Sequence, residues 1–311
     1  MTLGFVFPGQ GSQSVGMLAE LGASHSLVSE TFKQASEVLG YDLWAVIQNG
    51  PQEKLDDTVC TQPAMLAAGV AVWRIWQALN YPDPDVLAGH SLGEYTALVC
   101  SGALSFDSAI KLVEQRGRFM QEAVPAGQGA MAAVLGLPDE DVLALCKENA
   151  ENQVLDAVNF NSPGQVVIAG NSEAVHRAVN AAKAKGAKRA LVLPVSVPSH
   201  CLLMKPAADK LASYLKDVII TTTTIPVISN VNVVANNEPE QIKDALVKQL
   251  YQPVRWVETI QKMSADGVTQ IVECGPGKVL AGLTKRINKE VTAFPVFDKA
   301  SLEKAVAAFI T

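Results

Sequence analysis

Val86-Leu87-Ala88-Gly89-His90-Ser91-Leu92-Gly93-Glu94-Tyr95 reads as a strand that turns sharply into a helix. Three apolar residues lead into a G-x-S-x-G pattern, and an Ala- and Leu-bearing stretch follows it. Such spacing puts Ser91 at the apex of a tight turn, with its hydroxyl above the end of a sheet. The pentapeptide alone is a weak signal, and an ordinary helix start competes with it. The strand before and the helix after give it weight.

The chain around this turn keeps the same grammar. Residues 3–7 form a short apolar run, broken by Pro8-Gly9-Gln10-Gly11-Ser12-Gln13. Helical patterns are expected at 25–40, 61–79, 92–101 and 106–124, and a strand at 85–89. Strand–turn–helix alternation predicts an α/β fold with a parallel sheet. Residues 129–196 differ: strand 129–137, helix 138–150, strands 154–161 and 165–170, helix 172–185, strand 188–196. That order, β-α-β-β-α-β, is the ferredoxin-like unit. Strands at 225–230 and 270–274 and helices at 238–250 and 278–288 then resume the first rhythm. The expectation is a catalytic α/β domain from 1–125 and 198–311, with a ferredoxin-like α+β subdomain inserted at 126–197.

Composition excludes several classes. Of 311 residues, 49% are hydrophobic and only 18% charged, which does not suit a disordered chain. A net charge of −6 argues against a nucleic-acid partner. The apolar run Pro63 to Trp73 ends at Arg74, short of the ~20 residues a membrane span needs. Five cysteines without a C-x-x-C pair suit a reducing compartment and no metal site. A soluble, cytoplasmic protein is expected.

A nucleophilic Ser91 needs a base, and the chain offers four histidines. His25 lies in a polar stretch and His176 on a charged helix. His90 alternates away from Ser91 and reads as a supporting residue. His200 follows a strand end and is favoured by elimination. No acid stands out to orient it; Asp209 falls on the next helix, so a backbone carbonyl or side-chain amide is an alternative. For the oxyanion, an elbow supplies the N–H of Leu92, and the glycine-rich loop at 8–13 has the form of a second donor. That loop fits neither a dinucleotide fingerprint nor a nucleotide P-loop.

Arg116 lies toward the apolar stripe of helix 106–124, apart from an Arg118 face flanked by Glu114 and Glu122. A cation at a buried border needs an anion. It is either a structural salt bridge or a bidentate clamp for a substrate carboxylate. Residues 174–208 and 274–289 carry Lys and Arg and contain no acid, either solvated helix ends or a surface for phosphates or an acidic protein.

Together these motifs, with Arg116-Gly117-Arg118-Phe119-Met120, Asn159-Phe160-Asn161-Ser162-Pro163-Gly164-Gln165, Pro198-Ser199-His200 and Glu273-Cys274-Gly275-Pro276-Gly277, resemble the bacterial malonyl-CoA:acyl carrier protein transacylases over essentially the whole chain. The resemblance implies an α/β-hydrolase-like large domain with a ferredoxin-like subdomain and the active site between them. It implies Ser91 as nucleophile, His200 as base, Gln10 and Leu92 as oxyanion donors, and Arg116 on the malonyl carboxylate. A backbone carbonyl near Gln249 would orient His200. Asn159, Asn161, Gln165 and Arg189 would hold the pantetheine arm or its phosphates. Malonyl-CoA and acyl carrier protein would be the partners, with no separate cofactor, since coenzyme A and phosphopantetheine arrive with the substrates. Related multidomain synthases often place a bulky Phe before the active-site His on the malonyl side; here it is the small Ser199, which leaves room for methylmalonyl. A trans-acting acyltransferase of a polyketide or polyunsaturated lipid pathway, or an acyl-thioester serine hydrolase, would share the nucleophile.

Overall fold

A computed structural model describes residues 2–195 and 197–309. In chain order its strands are β1 (Thr2–Phe7), β2 (Val86–Gly89), β3 (Gly129–Leu135), β4 (Leu155–Ser162), β5 (Gln165–Asn171), β6 (Arg189–Val192), β7 (Val227–Ile228), β8 (Val268–Cys274) and β9 (Thr292–Val296). β1 is buried from Leu3 to Phe7 on both faces, the pattern of a central parallel strand. It pairs in parallel with β2 on one side and β8 on the other, within a sheet ordered β7-β2-β1-β8-β9. Phe7 stands opposite Gly89 in that register, so the Pro8 loop and the Ser91 turn leave the sheet side by side. Helices Thr58–Ala78 and Phe106–Ala123 pack on each other over this end; the first is buried almost throughout.

The second sheet is antiparallel, ordered β4-β5-β3-β6, with helices Asp139–Ala150 and Ser172–Ala182 on it. This strand order is that of a ferredoxin-like unit. Its own apolar core joins Val134, Leu145, Ile168 and Val175. β4 is stitched to the rest of the chain by Phe160 N–H donating to Val254 O at 3.0 Å and Val254 N–H to Val158 O at 2.8 Å. The mixed α/β architecture with a parallel sheet and a ferredoxin-like unit is the fold expected from the sequence.

Several boundaries differ. The strand expected at 188–196 pairs only over Arg189–Val192: Leu193 N–H still reaches Met131 O at 2.8 Å, but Val195 N–H turns back to Leu193 O at 2.9 Å instead of meeting β3; Ser196 lies outside the described residues. The strand expected at 225–230 shrinks to Val227–Ile228, an edge that pairs with β2 alone. Arg118 takes Glu114 at 2.9 Å, but Glu122 turns to Lys210 at 2.6 Å on a neighbouring helix instead of Arg118. Helices Trp256–Ala265 and Lys299–Ala307 and strand β9 were not foreseen. Among the described residues, no helix is long and apolar enough to cross a membrane.

Candidate active site

Ser91 caps helix Leu92–Cys100 with φ 53° and ψ −109°, a left-handed backbone for a residue with a Cβ. Such strain costs ~1–3 kcal/mol and persists only where the surroundings impose it. Here they do. A Cβ on Gly89 would sit 1.9 Å from the carbonyl carbon of Gly93, and one on Gly93 would sit 2.0 Å from Phe7 O. Only glycine lets the turn close against β1. Asn230, just after β7, clamps the turn from outside: it accepts from Ser91 N–H at 2.7 Å and donates Nδ2–H to Gly89 O at 2.6 Å.

His200 reaches Ser91 from the connection between β6 and helix Lys205–Tyr214, where its N–H is held by Leu250 O at 2.9 Å. Its Nδ1–H donates to Gln249 O at 2.6 Å, which leaves Nε2 to accept the Ser91 hydroxyl at 2.8 Å. Gln249 ends helix Pro239–Gln249, where the last carbonyls lack intrahelical partners. Burial, with the Arg116 charge second, brings the imidazole down to about 3, against a smaller opposing pull from the Gln249 carbonyl. The ring is neutral at physiological pH, as a general base must be. Asp209, the acid nearest in sequence, is exposed on helix Lys205–Tyr214 and pairs with Lys205.

Arg116 is 1% exposed and bonds to no carboxylate among the described residues. Nη1 donates to Gln62 Oε1 at 2.9 Å, and Nη2 to Gln249 Oε1 at 3.0 Å and Ser91 Oγ at 3.3 Å. Its Cζ lies 5.3 Å from the Tyr95 ring centroid, and Nε is buried with no partner among the described residues. Of the two readings of Arg116, a structural salt bridge is absent among the described residues. The cation stands beside the nucleophile with hydrogen-bonding capacity to spare.

A cavity of about 100 Å³ collects Gln10, Gln62, His90, Ser91, Leu92, Arg116, Asn159, Ser199 and His200 on its polar side, with Met120, Met131, Leu193, Val195 and Val197 opposite. The backbone N–H groups of Gln10 and Leu92 form no hydrogen bond among the described residues. Two free donors beside Ser91 are what a tetrahedral oxyanion requires. His90 lines the same cavity rather than facing away; its Nε2–H donates to Asn161 Oδ1 at 2.8 Å, and its ring packs 5.5 Å from Trp256. Asn159 presents a buried Oδ1 without a partner among the described residues.

Two of the predicted binding residues lie elsewhere. Gln165 accepts from Arg286 at 2.8 Å and lines, with Lys188 and Ser162, a separate open cleft of about 720 Å³. Arg189 is exposed on the edge strand β6 and lines neither cavity. Conversely, Gln62, Glu94 and Asn230 were not singled out; each is buried and bonded to a site residue. The five cysteines are free, and among the described residues no cluster of His, Cys, Asp or Glu could hold a metal ion.

Residues 4–305 match the acyl transferase domain family. The chain is 58% identical over 302 residues to the malonyl CoA-acyl carrier protein transacylase of Salmonella typhimurium, covering 97% of this chain and 98% of that one. It is 45% identical to the Bacillus subtilis protein of the same name, over 98% of this chain and 96% of that one. An acyl carrier protein S-malonyltransferase from Vibrio cholerae superposes with a TM-score of 0.96 at 59% identity, covering 98% of this chain and all of the other. A malonyl-transacylase in complex with its holo type II PKS acyl-carrier protein gives 0.98 at 56%, over 99% of this chain and 100% of that one. With a matching profile, matching relatives and a serine–histidine–arginine cluster at the carboxyl end of an interior strand, the chain belongs to the acyl transferase family and, within it, to the malonyl CoA-acyl carrier protein transacylases.

Proposed function

We propose that this protein moves a malonyl group from malonyl-CoA to the phosphopantetheine thiol of acyl carrier protein through an ester on Ser91. Ser91 Oγ attacks the thioester carbonyl as its proton passes to His200 Nε2. The developing oxyanion takes the N–H groups of Gln10 and Leu92. Collapse breaks the C–S bond, and His200 returns the proton to the departing coenzyme A sulfur. The carrier's thiol then attacks the malonyl ester with His200 again as base, and the proton ends on Ser91. Both acyl carriers are substrates, so the cycle as proposed uses no resident cofactor. A role in fatty acid synthesis in the cytoplasm accords with this chemistry. Asn159 and Asn161 lie nearest the site for a pantetheine arm; Gln165 and Arg189 would meet only its far end.

The observation that carries the reading is Arg116: a buried guanidinium 3.3 Å from the nucleophile, unpaired with any carboxylate among the described residues. A simple esterase or thioesterase has no use for it, whereas an acyl group ending in a carboxylate completes it. The test is labelled malonyl-CoA with and without carrier protein, followed by intact mass. A malonyl ester on the Ser91 peptide that discharges onto the carrier thiol supports transfer. Free malonate released at the same rate without carrier would make the protein a hydrolase.

A further inference from the structure

Glu94 is 3% exposed, at the first turn of helix Leu92–Cys100, three residues from the nucleophile. It touches neither Ser91 Oγ nor Arg116, and it lines no part of the cavity. Its Oε2 accepts Gln249 Nε2–H at 2.7 Å and Asn230 N–H at 3.1 Å. The same Gln249 amide nitrogen donates to Ser91 O at 2.9 Å, and the amide oxygen takes Arg116 Nη2–H at 3.0 Å. Gln249 is fully buried.

The polarity of that amide matters. Turned over, its oxygen would face a carboxylate and a carbonyl, and its NH2 would face a guanidinium. Each contact would become repulsive in a site closed to water. Among the described residues, the Glu94 oxygen is the side-chain acceptor that takes the amide nitrogen and so sets this orientation. A carboxylate bonded directly to the guanidinium would occupy the fork that the substrate needs. The interposed amide leaves the fork open.

We propose that Glu94 is a positioning residue for acyl selectivity: by fixing the Gln249 amide it aims Arg116 at the carboxylate of the bound acyl group. The inference rests on the malonyl-transfer reading. Glu94→Gln keeps an oxygen where both donors need one, while Glu94→Met fills the same volume and removes it. Acylation of Ser91 by malonyl-CoA and by acetyl-CoA is compared in the full-length protein. In Glu94→Met, kcat/KM for malonyl should fall about 10- to 100-fold, the loss of one buried charge-assisted hydrogen bond, mostly in KM. Acetyl should move by less than about threefold, because it never uses the fork. Glu94→Gln should recover most of the malonyl activity. Equal losses for both acyl groups, or no rescue by Glu94→Gln, would overturn the proposal. If Glu94→Met does not fold, Gln249→Met removes the same amide from the other end and must lower the malonyl-to-acetyl ratio; an unchanged ratio there is equally fatal. A wild-type protein that forms no malonyl ester would instead refute the transfer reading, so the two failures are distinct.

Discussion

Replacing Arg116 with Ala separates recognition of the acyl group from the chemistry on it. In the unliganded site the guanidinium donates to Gln62, Gln249 and Ser91, all uncharged, and keeps a buried Nε–H with no acceptor among the described residues. A substrate carboxylate would supply the missing charge. Losing such a buried charge-assisted pair costs about 2–5 kcal/mol. That is roughly 30- to several-thousand-fold in kcat/KM for malonyl-CoA. Acetyl-CoA has no carboxylate, so its transfer should fall little or rise, since the uncompensated cation is gone. The substitution also removes the charge that helps hold the His200 pKa down. The imidazole thus becomes slightly more basic, which does not impede acylation. Arg116→Lys should restore part of the malonyl activity, because a point charge returns without the planar fork. The assay is the malonyl-to-acetyl ratio of kcat/KM, with Ser91 acylation followed by mass. If both substrates fall by one factor, Arg116 only holds Gln62 and Gln249 in place and the selectivity argument fails.

His200→Ala should slow acylation by several orders of magnitude and leave the malonyl-to-acetyl ratio nearly unchanged; a changed ratio would show that the imidazole also reads the acyl group. Because the His200 pKa is lowered, its neutral, basic form persists as pH falls, so kcat/KM should stay flat from pH 7 down to about 5. An acid limb near the ordinary histidine value of about 6.5 would contradict the buried geometry. Charge reversal at Lys285 and Arg286, exposed in the last turn of helix Val279–Ile287, should raise KM for carrier protein and weaken its salt dependence, leaving a minimal pantetheine thiol unaffected. Unchanged carrier kinetics would move the docking surface elsewhere. Gly93→Ala should lower the melting temperature and abolish Ser91 acylation, since its Cβ would lie 2.0 Å from Phe7 O; an active, equally stable variant would mean that β1 and the elbow can separate.

Local features of the site were legible in the sequence and convergent ones were not. The elbow reads directly, because strand, glycines and serine are contiguous and the constraint is steric. Arg116 was placed by helical periodicity, which sees a face but not what faces it; the pattern alone left a salt bridge and a carboxylate clamp equally open. Asn230 had no such signal. It is one Asn in a loop 139 residues from Ser91, and only the pairing of β7 with β2 brings it under the elbow. Gln62 looked like one more position on an apolar helix, and Glu94 like a helix-start acid. Both owe their role to Arg116 and Gln249 arriving from distant segments. The third partner of His200 stayed open in the residues themselves, since any carbonyl could serve; only the resemblance pointed to Gln249. β6 was overextended for a related reason: an apolar run continues past Val192, but Val195 N–H closes a local turn on Leu193 O and the pairing with β3 stops.

The absence of an acid behind His200 has a physical logic. His200 Nε2 and Arg116 Nη2 meet at the same Ser91 oxygen, at 2.8 and 3.3 Å. A carboxylate on Nδ1 would stand close enough to both to raise the imidazole pKa and to compete with the substrate for the cation. The Gln249 carbonyl fixes the same tautomer with only the partial negative charge of a helix C-terminus. The resulting base is weaker, but its conjugate acid is correspondingly the stronger donor, so the proton taken from Ser91 passes readily to the departing sulfur. In acyl exchange between a thioester and a serine ester, the carboxylate that matters is on the substrate. The protein keeps its own one, Glu94, a full side chain away from the arginine that must receive it.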